Sequence, residues 1–97
     1  MTRELTFGGD AHTADAIQRA AYRLSDRLTL DLRTERGDFH CALQIADQPE
    51  SELELLLADF RREVLDQVLR ERIRGETEGV RNVILAFAFS NTGLSQQ

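Results

Sequence analysis

The side chains with most potential for chemistry are two histidines, a single cysteine and a short acidic run beside arginines. His40 and Cys41 are neighbours in a segment of alternating polarity. In a strand they point to opposite faces, so they cannot form a nucleophilic pair or share a metal. His12 is distant in sequence, with no carboxylates at ligand spacing. We interpret both histidines as exposed residues and Cys41 as a core thiol, and we predict no metal site.

The acidic run offers a second candidate site, because Glu76 and Glu78 lie between Arg74 and Arg81. Such a group has the residue types of a general acid–base site. Acidic residues near the start of a helix more often interact favourably with the helix dipole. The sequence therefore predicts no catalytic residues and no bound cofactor.

Length, charge and cysteine content exclude several classes of protein. A chain of 97 residues fits one domain, predicted over 1–97. A net charge of -5 argues against nucleic-acid binding, which requires a positive surface. One cysteine excludes an internal disulfide and an iron–sulfur cluster held by this chain alone. With no signal-peptide pattern and no apolar run long enough to span a bilayer, we predict a cytoplasmic protein without membrane association.

The first half of the chain alternates between strand and helix patterns. Residues 5–7 predict a short strand, and Thr13 or Asp10 can cap the helix that follows. Residues 28–33 and 39–45 each alternate apolar with polar side chains, and the intervening segment with Gly37 is typical of a tight turn. We therefore predict a βαββ unit over residues 1–48.

The second half predicts helices. Ser51 and Glu54 fit a capping box, and a helix with apolar residues at helical spacing should run from there to Ile73. Gly75 and Gly79 predict a kink or short turn. The apolar segment 80–89 fits strand or helix, and its spacing favours a second helix, which completes a helical part over 51–91.

This order of elements predicts a two-layer α+β fold with βαββαα topology and all helices on one sheet face. The three strands should form an antiparallel sheet of spatial order 1-3-2. The opposite sheet face should then be polar, with Thr6, Thr29, Asp31, Arg33, His40 and Gln44 on it. Within the apolar segment, Leu85 and Phe89 belong either to the core or to an interface with a partner or a second copy, and both interpretations stay open.

Two segments carry a resemblance to a known family. They are AIQRAAYRLSDR, residues 16–27, and FRREVLDQVLRERIRGETEGVRNVILAFAFS, residues 60–90. The chain resembles HxsD, a small accessory protein of bacterial His-Xaa-Ser peptide-maturation systems. The family often has proline where this chain has Gly79. The most specific matches are Leu69, Arg70, Ile73, Glu76, Thr77, Arg81, Asn82, Ile84, Leu85, Ala86, Ala88 and Ser90.

The resemblance implies two radical S-adenosylmethionine enzymes and a precursor peptide with His-Xaa-Ser repeats as neighbours in the system. The enzymes would hold the clusters, so this chain is predicted to be a non-catalytic adaptor that binds the peptide, an enzyme or both. A self-associating structural domain and a small enzyme are the alternatives. The predicted partner-binding residues are Thr29, Asp31, Arg33, Arg70, Arg81, Asn82, Leu85 and Phe89.

Overall fold

The computed structural model describes the backbone of residues 1–92 and the side chains of residues 1–76. Five elements follow one another along the chain. They are β1 (Thr2–Phe7), α1 (Ala14–Arg23), β2 (Leu28–Glu35), β3 (Asp38–Ile45) and α2 (Glu50–Thr92).

The strands form one antiparallel sheet in the order β1-β3-β2, which confirms the predicted α+β class and strand order. Glu35 pairs with Asp38, so the β2–β3 hairpin has a two-residue loop of Arg36 and Gly37. Both loop residues have positive φ, 54° and 82°, as a type I′ turn requires. This loop fixes which backbone groups of β2 face β3.

The core lies between the sheet and the two helices. Phe60 of α2 is fully buried and meets the ring of Phe7 edge-on at 6.0 Å. The buried alanines of α1, Ala16, Ala20 and Ala21, leave room for close packing. The remaining large core side chains are Ile17, Leu28, Leu43, Ile45, Leu53, Leu56, Leu57 and Val64.

Polar contacts hold α1 against α2. Thr13 caps α1, because its hydroxyl oxygen accepts a hydrogen bond from the Ala16 N–H at 3.1 Å, and the same hydroxyl donates to Glu71 of α2 at 2.9 Å. Of the two predicted caps, Thr13 is the one used. The two helices are therefore tied together at the start of α1 as well as along their apolar faces.

The last two predicted helices are one continuous helix, so the predicted break at Gly75 and Gly79 is not present. Glycine in a helix interior costs about 1 kcal/mol relative to alanine, and this cost does not end a helix that has good helix formers on both sides. At 43 residues, α2 is as long as the longest dimension of the molecule, 64 Å. It begins at Glu50, one residue before the predicted cap.

From Leu65 onward, α2 carries apolar side chains at helical spacing that the structure exposes. Leu65, Leu69 and Ile73 are 57%, 46% and 62% exposed, whereas Phe60 and Val64 are buried. Residues 72–76 are exposed on every side of the helix. The helix therefore extends past its contact with Thr13 at the start of α1, whereas Leu65 and Leu69 lie before that contact on an exposed side of α2.

Candidate functional site

The outer face of the sheet, opposite the helices, presents three rows of side chains set by the strand register. From β1 through β3 to β2, the rows are Thr2–Gln44–Thr29, Glu4–Ala42–Asp31 and Thr6–His40–Arg33. The small Ala42 at the centre lies in a shallow depression that is also lined by Glu4, Thr6, Arg33 and His40. Its volume is about 50 Å³. Ligand pockets are typically several hundred Å³, so this depression fits water rather than a substrate.

His40 makes only surface contacts on this face. Its Nδ1 lies 3.3 Å from the Thr6 hydroxyl, and its Nε2 lies 4.0 Å from a Glu35 carboxylate oxygen. Cys41 points to the opposite face and is buried, and burial raises the pKa of its thiol to about 11. The structure therefore separates the two residues, as the strand pattern predicted.

His12 lies apart from His40, beside the turn that follows β1. Its Nδ1 is 2.9 Å from the Gly8 carbonyl oxygen, and its ring packs against Phe7 at a centroid distance of 5.0 Å. Over the part of the chain with described side chains, no three histidine, cysteine or acidic residues are grouped to hold a metal ion. His12 is a packing residue in this structure.

Strand β2 lies at the edge of the sheet, and its backbone groups alternate between β3 and solvent. In a hairpin with a two-residue loop, the two residues of the closing pair, Glu35 and Asp38, exchange both of their backbone hydrogen bonds. Every second residue of β2, counted back from Glu35, therefore also exchanges both hydrogen bonds with its partner on β3. The residues whose backbone N–H and C=O groups face away from β3 are Leu28, Leu30, Leu32 and Thr34. The outward N–H of Leu28 donates to the Leu24 carbonyl at 3.0 Å.

Three residues of β2 therefore carry backbone groups toward the open side of the sheet. They are Leu30, Leu32 and Thr34, to which no other described element adds a backbone hydrogen bond. We call this row the β2 edge. The sequence located the strand but did not identify these three residues. The length of the turn, read together with Gly37, was the signal that could have found them.

The predicted residues of β2 share one surface. Thr29, Asp31 and Arg33 are all exposed on the outer face, directly beside the β2 edge. Asp31 and Arg33 form no ion pair with any residue whose side chain is described. An extended segment that paired with the edge would bring its own side chains next to these charges.

The predicted residues of α2 lie elsewhere. Arg70 is exposed and donates a hydrogen bond to Asp66 at 2.7 Å, which raises the pKa of its guanidinium further. It lies on α2, whereas Thr29, Asp31 and Arg33 lie on the sheet face turned away from that helix. Arg81, Asn82, Leu85 and Phe89 belong to α2, but their side chains lie outside the described residues.

The second candidate site in the sequence, the acidic run beside arginines, lies partly outside the described residues. Arg74 and Glu76 are exposed on the helix, while the side chains of Glu78 and Arg81 lie outside the described residues. Neither helix, over the residues the structure describes, combines the length and the hydropathy that a membrane-spanning segment needs.

The chain was compared with known families, proteins and structures. The family described as His-Xaa-Ser system protein HxsD matches residues 7–95, nearly the whole chain. The chain belongs to the HxsD family. No curated protein and no solved structure gives a significant match to it.

Membership of the HxsD family connects this chain with the His-Xaa-Ser system, in which HxsD is an accessory family. The resemblance predicted from residues 16–27 and 60–90 is thereby confirmed. The match extends from the end of β1 into the C-terminal residues, so it includes the β2 edge and all of α2.

Proposed function

We propose that this HxsD-family chain is a non-catalytic adaptor of a bacterial ribosomal-peptide maturation system. In this proposal residues 1–97 form one cytoplasmic domain that binds the His-Xaa-Ser precursor peptide, a radical S-adenosylmethionine maturase, or both. Family membership supports the link to the system. The exposed side chains of Thr29, Asp31 and Arg33 beside the β2 edge support a binding role.

The β2 edge is the observation that carries the peptide-binding part. An extended peptide can add to a free strand through main-chain hydrogen bonds, while side chains beside the edge supply selectivity. Leu30, Leu32 and Thr34 provide the main-chain groups. Asp31 and Arg33 provide opposite charges two residues apart on the outer face, with Thr29 before them.

The segment of α2 from Leu65 onward is the proposed docking element for the maturase. Leu65, Leu69 and Ile73 follow one another at intervals of four residues and are exposed, so they form one apolar strip. Arg70 lies within the same segment. The proposed contact continues along the helix to Arg81, Asn82, Leu85 and Phe89. An adaptor with these two surfaces would hold the peptide on the sheet and the enzyme on the helix.

The experiment is copurification of the tagged chain with the precursor peptide and with each maturase. Leu85→Glu and Phe89→Glu should abolish capture of the maturase by adding a charge to the docking element. Leu55→Glu is a matched control, since Leu55 is 67% exposed near the other end of the same helix. Capture that persists in both C-terminal variants would contradict the helix assignment, and failure of the unchanged chain to capture any component would contradict the adaptor role.

A self-associating domain is the second candidate, in which the C-terminal apolar segment of α2 is covered by a second copy. The exposed strip of Leu65, Leu69 and Ile73 favours it, because such strips on monomers often mark interfaces. The same two C-terminal variants, compared with unchanged protein by sedimentation, separate the candidates. Association lost in both variants supports this second function, and association unchanged in both argues against it.

A further inference from the structure

We propose that the β2 edge pairs with the β2 edge of a second copy of this chain, antiparallel and around a two-fold axis at Leu32. The inference goes beyond the adaptor function. A second copy and the precursor peptide would use the same backbone groups of β2, so the edge pairs with one of them at a time and the peptide would bind the monomer. A symmetric contact of this kind joins the same surface on both copies, so the strand must be complementary to itself. Its backbone pattern, its charges and its apolar side chains each meet that condition.

The backbone pattern fits an axis at Leu32. The N–H and C=O of Leu32 face away from β3, so two copies related by the axis can exchange both hydrogen bonds at this residue. Leu30 then faces Thr34 of the second copy, and Thr34 faces Leu30. The pairing forms about six new backbone hydrogen bonds and joins the two sheets into one.

The charges fit the same axis. With Leu32 opposite its own copy, Asp31 lies directly opposite Arg33 of the second copy, and Arg33 opposite Asp31. Both are exposed, and neither has an ion-pair partner among the described side chains. Directly opposed residues have Cβ atoms about 5 Å apart, within reach of an ion pair. The two-fold axis thus creates two equivalent ion pairs between Asp31 and Arg33.

Other registers fit less well. An axis at Leu30 would set Arg33 opposite Arg27 and leave Asp31 facing Thr29, without a basic partner. An axis at Thr34 would oppose Arg33 and Glu35 but would run each strand past the hairpin loop, so fewer residues would pair. The Leu32 axis uses most of the strand and matches both charges.

The helix-side face of the strand adds an apolar contact. Leu30 and Leu32 point toward the core but remain half-buried, because no further strand covers them at the open side of the sheet. In the proposed pair, the two Leu32 side chains meet across the axis. The second copy would therefore bury apolar area on one face while it pairs charges on the other.

The test is the self-association of the full chain, measured by sedimentation equilibrium over a range of concentrations. Asp31→Arg and Arg33→Asp each set like charges opposite one another, so each alone should weaken association at least about tenfold. The double variant restores opposite charges and should associate like unchanged protein. An equimolar mixture of the two single variants should also associate, as a heterodimer. Glu4→Arg, on the outer face of the opposite edge strand, is the matched control and should have no effect.

Circular dichroism of each variant establishes that it is folded. Unchanged protein that stays monomeric would overturn the inference. Single variants that associate as strongly as unchanged protein would overturn it as well and would assign the dimer contact to α2. If unchanged protein is monomeric and the charge variants lose capture of the precursor peptide, the edge belongs to the peptide and not to a second copy. Failure of the adaptor function itself is read separately, from whether unchanged protein captures any component of the system.

Discussion

The guanidinium of Arg23 on α1 lies 2.8 Å from the carboxylate of Glu63 on α2, and the same carboxylate accepts a hydrogen bond from the Gln67 amide at 3.1 Å. Gln67 is buried between the helices. The contact is one of three that recur along the interface at intervals of four to eight residues on α2. Asp59 meets Arg27 at 3.5 Å, and Glu71 meets Thr13 at 2.9 Å.

Removal of the Glu63 side chain tests how much the polar contacts between α1 and α2 contribute to stability. Glu63→Ala should lower the free energy of unfolding by about 1–2 kcal/mol, because it leaves the buried Gln67 amide without its partner. Asp66→Ala is the control: it breaks an exposed pair with Arg70 and should cost at most about 0.5 kcal/mol. Urea denaturation measures both. Equal losses in the two variants would show that burial of Gln67 does not matter.

The turn after β1 contacts the hairpin loop so closely that only glycine fits at Gly9. A Cβ at this position would lie 1.7 Å from the Gly37 carbonyl oxygen, which is a backbone atom. Gly9→Ala should therefore destabilise the protein by about 2 kcal/mol or more, since the backbone must move.

Gly75→Ala is the matched control for Gly9, because no atom lies within 4 Å of a Cβ there and the residue is inside a helix. It should stabilise the protein by about 0.5–1 kcal/mol. Thermal unfolding followed by circular dichroism measures both changes. A stabilising Gly9→Ala would mean that the turn does not pack on the hairpin in solution.

The Cys41 thiol should be unreactive in the folded protein. Burial raises its pKa to about 11 from an ordinary value of 9.0, so little thiolate exists at neutral pH. Reaction with a chromogenic disulfide reagent should be slow in buffer and rapid in denaturant. A fast reaction in buffer would contradict the burial of this side chain.

The same shift predicts a pH dependence of stability. The thiol is protonated in both states below about pH 9, so it contributes no dependence there. Between about pH 9 and 11 the unfolded chain loses the proton first, and stability should fall by up to about 2–3 kcal/mol. Cys41→Ala should abolish this fall, whatever it does to stability at neutral pH. An identical slope in both proteins would assign the dependence to other groups.

Buried and exposed positions of α2 should respond differently to loss of apolar side chains. Phe60→Ala, at a fully buried position, should cost about 3–5 kcal/mol. Leu65→Ala and Ile73→Ala, at exposed positions, should change stability by less than about 0.5 kcal/mol in the isolated protein. A large loss at Ile73 under dilute conditions would show that this strip is covered in solution, and its dependence on protein concentration would then identify a second copy.

Short-range patterns in the sequence determined most of the fold and half of the candidate site. Alternation along β2 and β3 placed Thr29, Asp31 and Arg33 on one face, because side-chain direction in a strand depends only on sequence parity. The same rule separated Cys41 from His40. The residues at 16–27 and 60–90 also carried the family resemblance.

Only the tertiary structure decided which helical residues have a neighbour and which backbone groups lack one. Leu65, Leu69 and Ile73 keep the helical spacing of core residues, yet they are exposed. Leu65 and Leu69 lie on the side of α2 turned away from α1, and Ile73 lies beyond the Thr13–Glu71 contact, and no local pattern encodes where a distant helix packs. Whether α2 bends at Gly75 depended on a difference of about 1 kcal/mol, too small for propensity to settle. The open edge at Leu30, Leu32 and Thr34 exists because β3 is the central strand, which leaves β2 at the edge of the sheet.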